Sequence, residues 1–114
     1  RMCERLIQRG TEVAQEHQLP LLVLSVVGNG QNSLGDPAVA EALDYLYRTS
    51  ASHDAEMTVL CSEKPLDTIV DFAHKHAVAH VVIGEGKPDV HGNSFAGCLA
   101  MALPLAVFHA VSAA

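Results

Sequence analysis

Two hydrophobic periods alternate along the chain. Met2, Leu6, Ile7, Val13 and Ala14 recur at helical spacing, which predicts an amphipathic helix over residues 2–17, closed by Pro20. "LLVLSVV" (21–27) is an unbroken apolar run rich in Val, the pattern of a strand buried on both faces. "GNGQNSLG" (28–35) reads as a loop. Asp36-Pro37 then gives a helix start, with Asp as N-cap and Pro at the first helical position. That helix turns Ala42, Leu43, Leu46 and Tyr47 inward and fades near Ser52. "EMTVLCS" (56–62) is a second strand, and a helix follows from Pro65 to His76 with Leu66, Ile69, Val70 and Ala73 on one face. "AHVVIG" (79–84) is a third strand. Phe95, Cys98, Leu99 and Ala102 mark another helix, and "PLAVFHA" (104–110) is the last strand.

The resulting order, αβαβαβαβ, predicts an α/β domain over residues 1–114, with a parallel sheet, helices on both faces and right-handed crossovers. A doubly wound domain normally opens on a strand, and this chain opens on a helix. Helix 2–17 needs a strand to cover, so a first strand is expected upstream of Arg1.

Composition narrows the function classes. The 114 residues are 49% hydrophobic but only 4% aromatic, with no Trp. The core must come from Leu, Val, Ile and Ala, and no aromatic platform is present for stacking single-stranded bases. A net charge of -6 with dispersed Lys and Arg argues against nucleic acid as a partner. Cys3, Cys61 and Cys98 are far apart and odd in number, so no disulfide framework is expected, and a cytoplasmic setting fits. The longest apolar stretch, Cys98 to Phe108, is broken by Pro104 and is shorter than the roughly 20 residues of a spanning helix, so no membrane partner is expected.

The chemistry concentrates at residues 84–94, "GEGKPDVHGNS", between the third strand and the next helix. Gly84, Gly86 and Gly92 let backbone N–H groups approach an anion, Asn93 and Ser94 stand at the helix start, and Lys87 adds a cation. Open α/β sheets bind ligands at this carboxyl end of the strands. Val26 and Ile83, at the ends of neighbouring strands, are the apolar contacts expected for a base. A plain turn with a left-handed glycine and an Asn or Ser cap accounts for the same residues, and is the favoured reading.

The chain resembles the universal stress proteins. The likeness rests on "LPLLVLSVV", the unit "EMTVLCSEKPLDTIVDFAHKHAVAHVVIG", the glycine loop and the closing "ALPLAVFHAV". It is also similar to the stress-protein-like domain of potassium-sensor histidine kinases. The resemblance implies a flavodoxin-like, adenine-nucleotide-alpha-hydrolase-like sheet whose first, central strand carries an acidic nucleotide-holding residue; that strand is missing from this sequence. The family's ATP-binding loop spaces Gly, two residues, Gly, nine residues, then Gly-Ser or Gly-Thr. Here Gly84 matches, Gly86 comes one position early, and five residues precede Gly92-Asn93-Ser94. Asp89 would also repel a triphosphate. ATP or AMP is therefore the ligand class in question, with no cofactor assigned.

Other constellations are weak. His74 and His76 fall on different helix faces, a helix end and a turn separate His76 from His80, and no zinc set completes them. No nucleophile elbow exists. Cys61 and Cys98 read as buried packing residues, and Asp67, Asp71 and Lys75 as one solvated helix face. No enzyme is expected, a small metal or thiol enzyme being the remaining alternative. The last strand, apolar on both sides, is a candidate sheet edge, and the resemblance implies dimerisation there. Leu105, Val107, Phe108 and His109 are the candidate homodimer contacts, against an ordinary buried strand under a helix.

Overall fold

The computed structural model describes residues 2–28, 36–85, 92 and 94–112. Eight elements follow one another: α1 (Met2–His17), β1 (Leu22–Val27), α2 (Pro37–Ser52), β2 (Glu56–Cys61), α3 (Pro65–Lys75), β3 (His80–Gly84), α4 (Phe95–Ala102) and β4 (Val107–Val111). Each stands where the periodicity predicts it. The largest departure is β4, which begins three residues late because Pro104–Ala106 form a turn first. The Asp36 side chain accepts the Ala38 N–H at 2.9 Å, with Pro37 opening α2, which is the cap predicted from "DP".

Three helix ends share a device that the sequence does not advertise. Gln18, Asp54 and Ala77 all have positive φ, at 54°, 55° and 50°. One residue further on, the N–H groups of Leu19, Ala55 and Val78 bond back to the carbonyls of Ala14, Ser50 and Ala73. These are Schellman ends built without glycine, and each turns the chain toward the strand that follows. A left-handed residue with a Cβ carries a cost that glycine avoids. Ala77→Gly is therefore expected to raise stability by about 0.5–1 kcal/mol, less the extra freedom it gives the unfolded chain. Urea denaturation at constant m value checks this, and a loss of stability would show that residue 77 is not strained.

β1 pairs with β2 in parallel, Leu22 opposite Glu56 through Val27 opposite Cys61. β3 pairs with β4 in parallel, His80 opposite Val107 through Gly84 opposite Val111. The two pairs form separate two-stranded sheets, not one four-stranded sheet. Helices cover both faces: α1 packs on α2, β3 and β4, while α3 packs on α4 and β1. Between β1 and β3 runs a cavity of about 480 Å³, bordered by Leu22, Val23 and Leu24 on one side and Val81, Val82 and Ile83 on the other.

That cavity changes the expected burial. The run 21–27 is expected to be covered on both faces, yet every residue of β1, and of β3 as well, is only half-buried. The buried apolar residues are Ile7, Val13, Phe72, Ala73, Leu99 and Leu103, with Leu66, Ile69, Val81 and Ile83 packed against the Ala73–Leu99–Leu103 cluster. Other inward assignments are corrected. Tyr47 is 62% exposed and Ala42 is exposed, because the inward stripe of α2 runs through Val39, Leu43, Leu46 and the buried Ser50 and leaves both at its flanks. Cys61 is exposed at the end of β2, and on α4 Leu99 is buried while Phe95 and Ala102 are exposed.

Candidate functional site

The carboxyl ends of β3 and β4 position the start of the glycine segment. Gly84 is the last residue of β3, opposite Val111, and the Glu85 N–H still bonds to the Val111 carbonyl at 2.9 Å. Gly86, Lys87 and Asn93 lie outside the described residues. Gly92 has φ 79°, the left-handed conformation predicted for a turn glycine, and no atom lies within 4 Å of the position a Cβ would take. Ser94 is the N-cap of α4, and its Oγ accepts the Gly97 N–H at 3.0 Å. Both readings of this segment meet here. Gly84 at a strand end and Gly92 before a helix start are parts that a phosphate cradle uses, a plain turn uses them equally, and the Ser94 hydroxyl is engaged in capping its own helix.

The two apolar candidates are not on neighbouring strands. Val26 pairs with Leu60, Ile83 pairs with Ala110, and the cavity separates their strands. Ile83 lines that cavity. The candidate dimer contacts also divide. Leu105, 97% exposed, sits in the turn before β4, whereas Val107, half exposed, and the half-buried Phe108 and His109 lie on the strand. Asp67, Asp71 and Lys75 are all exposed, as a solvated face requires.

A cluster that sequence reasoning missed lies at the opposite, amino end of β3. His17 closes α1, His80 opens β3, and His109 stands two positions along β4 from the residue opposite His80. The His17 and His80 rings stack with centroids 4.1 Å apart, and those of His80 and His109 stack at 5.4 Å. His80 Nδ1 and His109 Nε2 are 3.2 Å apart, so one ring nitrogen donates and the other accepts. Three residues from three distant segments leave no local signal. Among the described residues, no group of three or more His, Cys, Asp or Glu side chains is arranged to hold a metal ion.

Partial burial lowers the His109 pKa below 6.5, and the nearby charges of Arg9, His80 and His17 lower it further against an opposing pull from Glu16. The sign of the linkage follows. The unfolded chain protonates His109 at higher pH than the folded one, so stability is fully present above 6.5 and is lost as pH falls below it toward the folded pKa. His109→Gln is expected to flatten the stability profile over that window. Thermal melts from neutral to mildly acidic pH check it, and an unchanged acid slope would count against the assignment.

Comparisons with known proteins agree with this architecture. No protein-family model and no curated protein matches the chain. Among solved structures, the universal stress protein from Archaeoglobus fulgidus matches 96% of this chain and 87% of its own, with 26% identity and a TM-score of 0.62. The resemblance carried by the strand runs and the glycine loop thus holds over almost the whole chain, which is similar in fold and in sequence to a universal stress protein.

Proposed function

We propose that this is a non-catalytic regulatory domain of a stress response, cytoplasmic and homodimeric through its last strand, whose nucleotide loop no longer serves ATP. The observation that carries the reading is Ser94. Its Oγ is held by the Gly97 N–H, and the loop ahead of it spans only five residues between Gly86 and Gly92. A phosphate at this helix start would compete with the cap for backbone N–H groups. The structural similarity to a universal stress protein supports the stress-response family. The exposed Val107 on β4, with Leu105 beside it, supports pairing between copies at the sheet edge.

A second reading, a domain that binds ATP or AMP through the shortened loop, is favoured by one observation. Gly92 is left-handed with nothing within 4 Å of where a Cβ would stand, two residues ahead of the Ser94 cap. Native mass spectrometry with and without millimolar ATP separates the two. The regulatory reading expects a dimer that stays empty, and a dimer carrying one nucleotide per chain would replace it with the second.

A further inference from the structure

β4 is an edge strand with a conditional guard. Among the described residues it pairs with β3 alone, so its other side has no strand partner. Exposed edges are commonly kept apart by Lys, Pro or an added charge. Val107–Val111 carries no Lys, Arg, Asp, Glu or Pro, and its one ionisable side chain is His109, at the centre of the five residues. A histidine is a charge that is present in acid and absent above neutral pH. Backbone parity puts this side chain at a point of close approach. The Val107 N–H donates to the Ala79 carbonyl and the Val111 carbonyl accepts from the Glu85 N–H, both at 2.9 Å. Residues 107, 109 and 111 therefore turn their backbone groups toward β3, and Phe108 and Ala110 turn theirs outward. A second copy laid antiparallel, with all five residues overlapping, exchanges backbone bonds between Phe108 and the partner's Ala110. His109 then falls on the two-fold axis, opposite its own copy, in a pair that shares no hydrogen bond. Side chains lie closest in such pairs, with Cα atoms about 4.5 Å apart.

The surroundings of His109 already disfavour a proton. Phe108 packs against the Ala73–Leu99–Leu103 cluster, so Val107 and His109 lie on the opposite face, with His80. Burial favours the neutral ring, Arg9 and His17 of α1 and His80 of β3 act the same way, and Glu16 of α1 opposes them. Arg9 is itself paired with Glu12 at 3.1 Å, and Glu85 follows the far end of β3. Pairing two β4 edges adds a second His109 to this face, with the partner's His80 behind it. Like charges directly opposite one another across an antiparallel pair are destabilising.

We propose that His109 is a proton-operated guard of the β4 edge: neutral, it lets two copies pair antiparallel along Val107–Val111, and protonated, it sets like charges opposite one another and parts them. The inference rests on the reading of β4 as the homodimer edge and adds its regulation. Linkage gives the sign. Association requires both rings neutral, so dissociation takes up protons. The dimer holds above the His109 pKa of the separate chain, which lies below 6.5, and weakens as pH falls through it.

Sedimentation velocity of the 114-residue chain from about pH 8 to about pH 5, the range over which histidine changes charge, reads the dissociation constant, with far-UV circular dichroism at each pH. The expected result is a dimer at the alkaline end. Below the His109 pKa its dissociation constant should rise about tenfold to a hundredfold per pH unit, for one to two protons taken up, while the chain stays folded. His109→Gln should hold the dimer in acid. Val107→Lys, a fixed charge at a half-exposed position of the same strand, should part it at every pH. A dimer whose affinity ignores pH overturns the guard and leaves the dimer standing. So does acid dissociation that persists in His109→Gln, or that only accompanies unfolding. A dimer that survives Val107→Lys lies on another surface and overturns both the β4 edge and its guard, and a chain monomeric at every pH does the same.

Discussion

Leu99→Ala is expected to destabilise the domain by about 3 kcal/mol, within the range of about 2–5 for truncating a buried leucine. Leu99 is 1% exposed and is the largest fully buried side chain. It joins α4 to Ala73 of α3 and to Leu103 at the end of its own helix. The mutation leaves a hole in the most buried part of the core, beside the cavity that Leu99 already lines. For a domain of this size the loss corresponds to a fall in Tm on the order of 10–20 °C. Met101→Ala, on the same helix but 84% exposed, should stay within about 0.5 kcal/mol of the parent. Urea denaturation of the two variants is the check. A loss below about 1 kcal/mol at Leu99 would mean that α4 is not pinned by this contact. Because α4 also carries the Ser94 cap and follows Gly92, the same experiment reports how firmly the glycine segment is anchored.

Element identity was legible because each element carries its own period. The unbroken apolar runs at 22–27 and 80–84 became parallel strands, and Asp36-Pro37 became a capped helix start. What was not legible depends on neighbours. An apolar strand reads the same whether its edge meets another strand or a gap, so the splitting of the sheet could not be read from "LLVLSVV" or "HVVIG" alone. Tyr47 misled for a related reason: its spacing is close to that of the inward face, but the stripe that α2 buries runs through Val39, Leu43, Leu46 and Ser50 and leaves Tyr47 at its flank. The helix ends at Gln18, Asp54 and Ala77 gave no warning, because their left-handed turns use residues that normally avoid them.

The site was legible in part and at one end only. Gly84 closes β3, Gly92 takes the left-handed turn that the glycine pattern predicts, and Ser94 caps α4. The capping bond from Gly97 N–H to Ser94 Oγ also follows from a Ser placed before an apolar helix. Val26 and Ile83 were placed side by side by an order of strands that assumed adjacency. The histidine stack shows the limit of spacing arguments. His76 and His80 look like a pair in sequence, while the rings that meet are those of residues 17, 80 and 109.

Gly10→Val is expected to cost about 2–3 kcal/mol, the scale of overpacking a filled contact. Gly10 lies buried in the middle of α1, where glycine costs about 1 kcal/mol relative to Ala in helix propensity alone. Its presence there has a local cause: a Cβ at this position would fall 2.9 Å from Leu21 Cδ1, on the residue that leads into β1. Gly10→Ala sets the propensity gain against that contact, and the obstacle is the far end of a flexible side chain, so the two effects should nearly cancel. Valine adds two methyl groups and loses the propensity advantage, so Leu21 must move or α1 must lift away from β1. If Leu21 is the obstacle, Leu21→Ala should recover more than about 1 kcal/mol in the Gly10→Val background while destabilising the parent, the signature of two residues in direct contact. Equal costs of Leu21→Ala in both backgrounds would place the strain elsewhere along α1. The same double-mutant cycle bears on the cavity between β1 and β3, because Gly10 and Leu21 both line it.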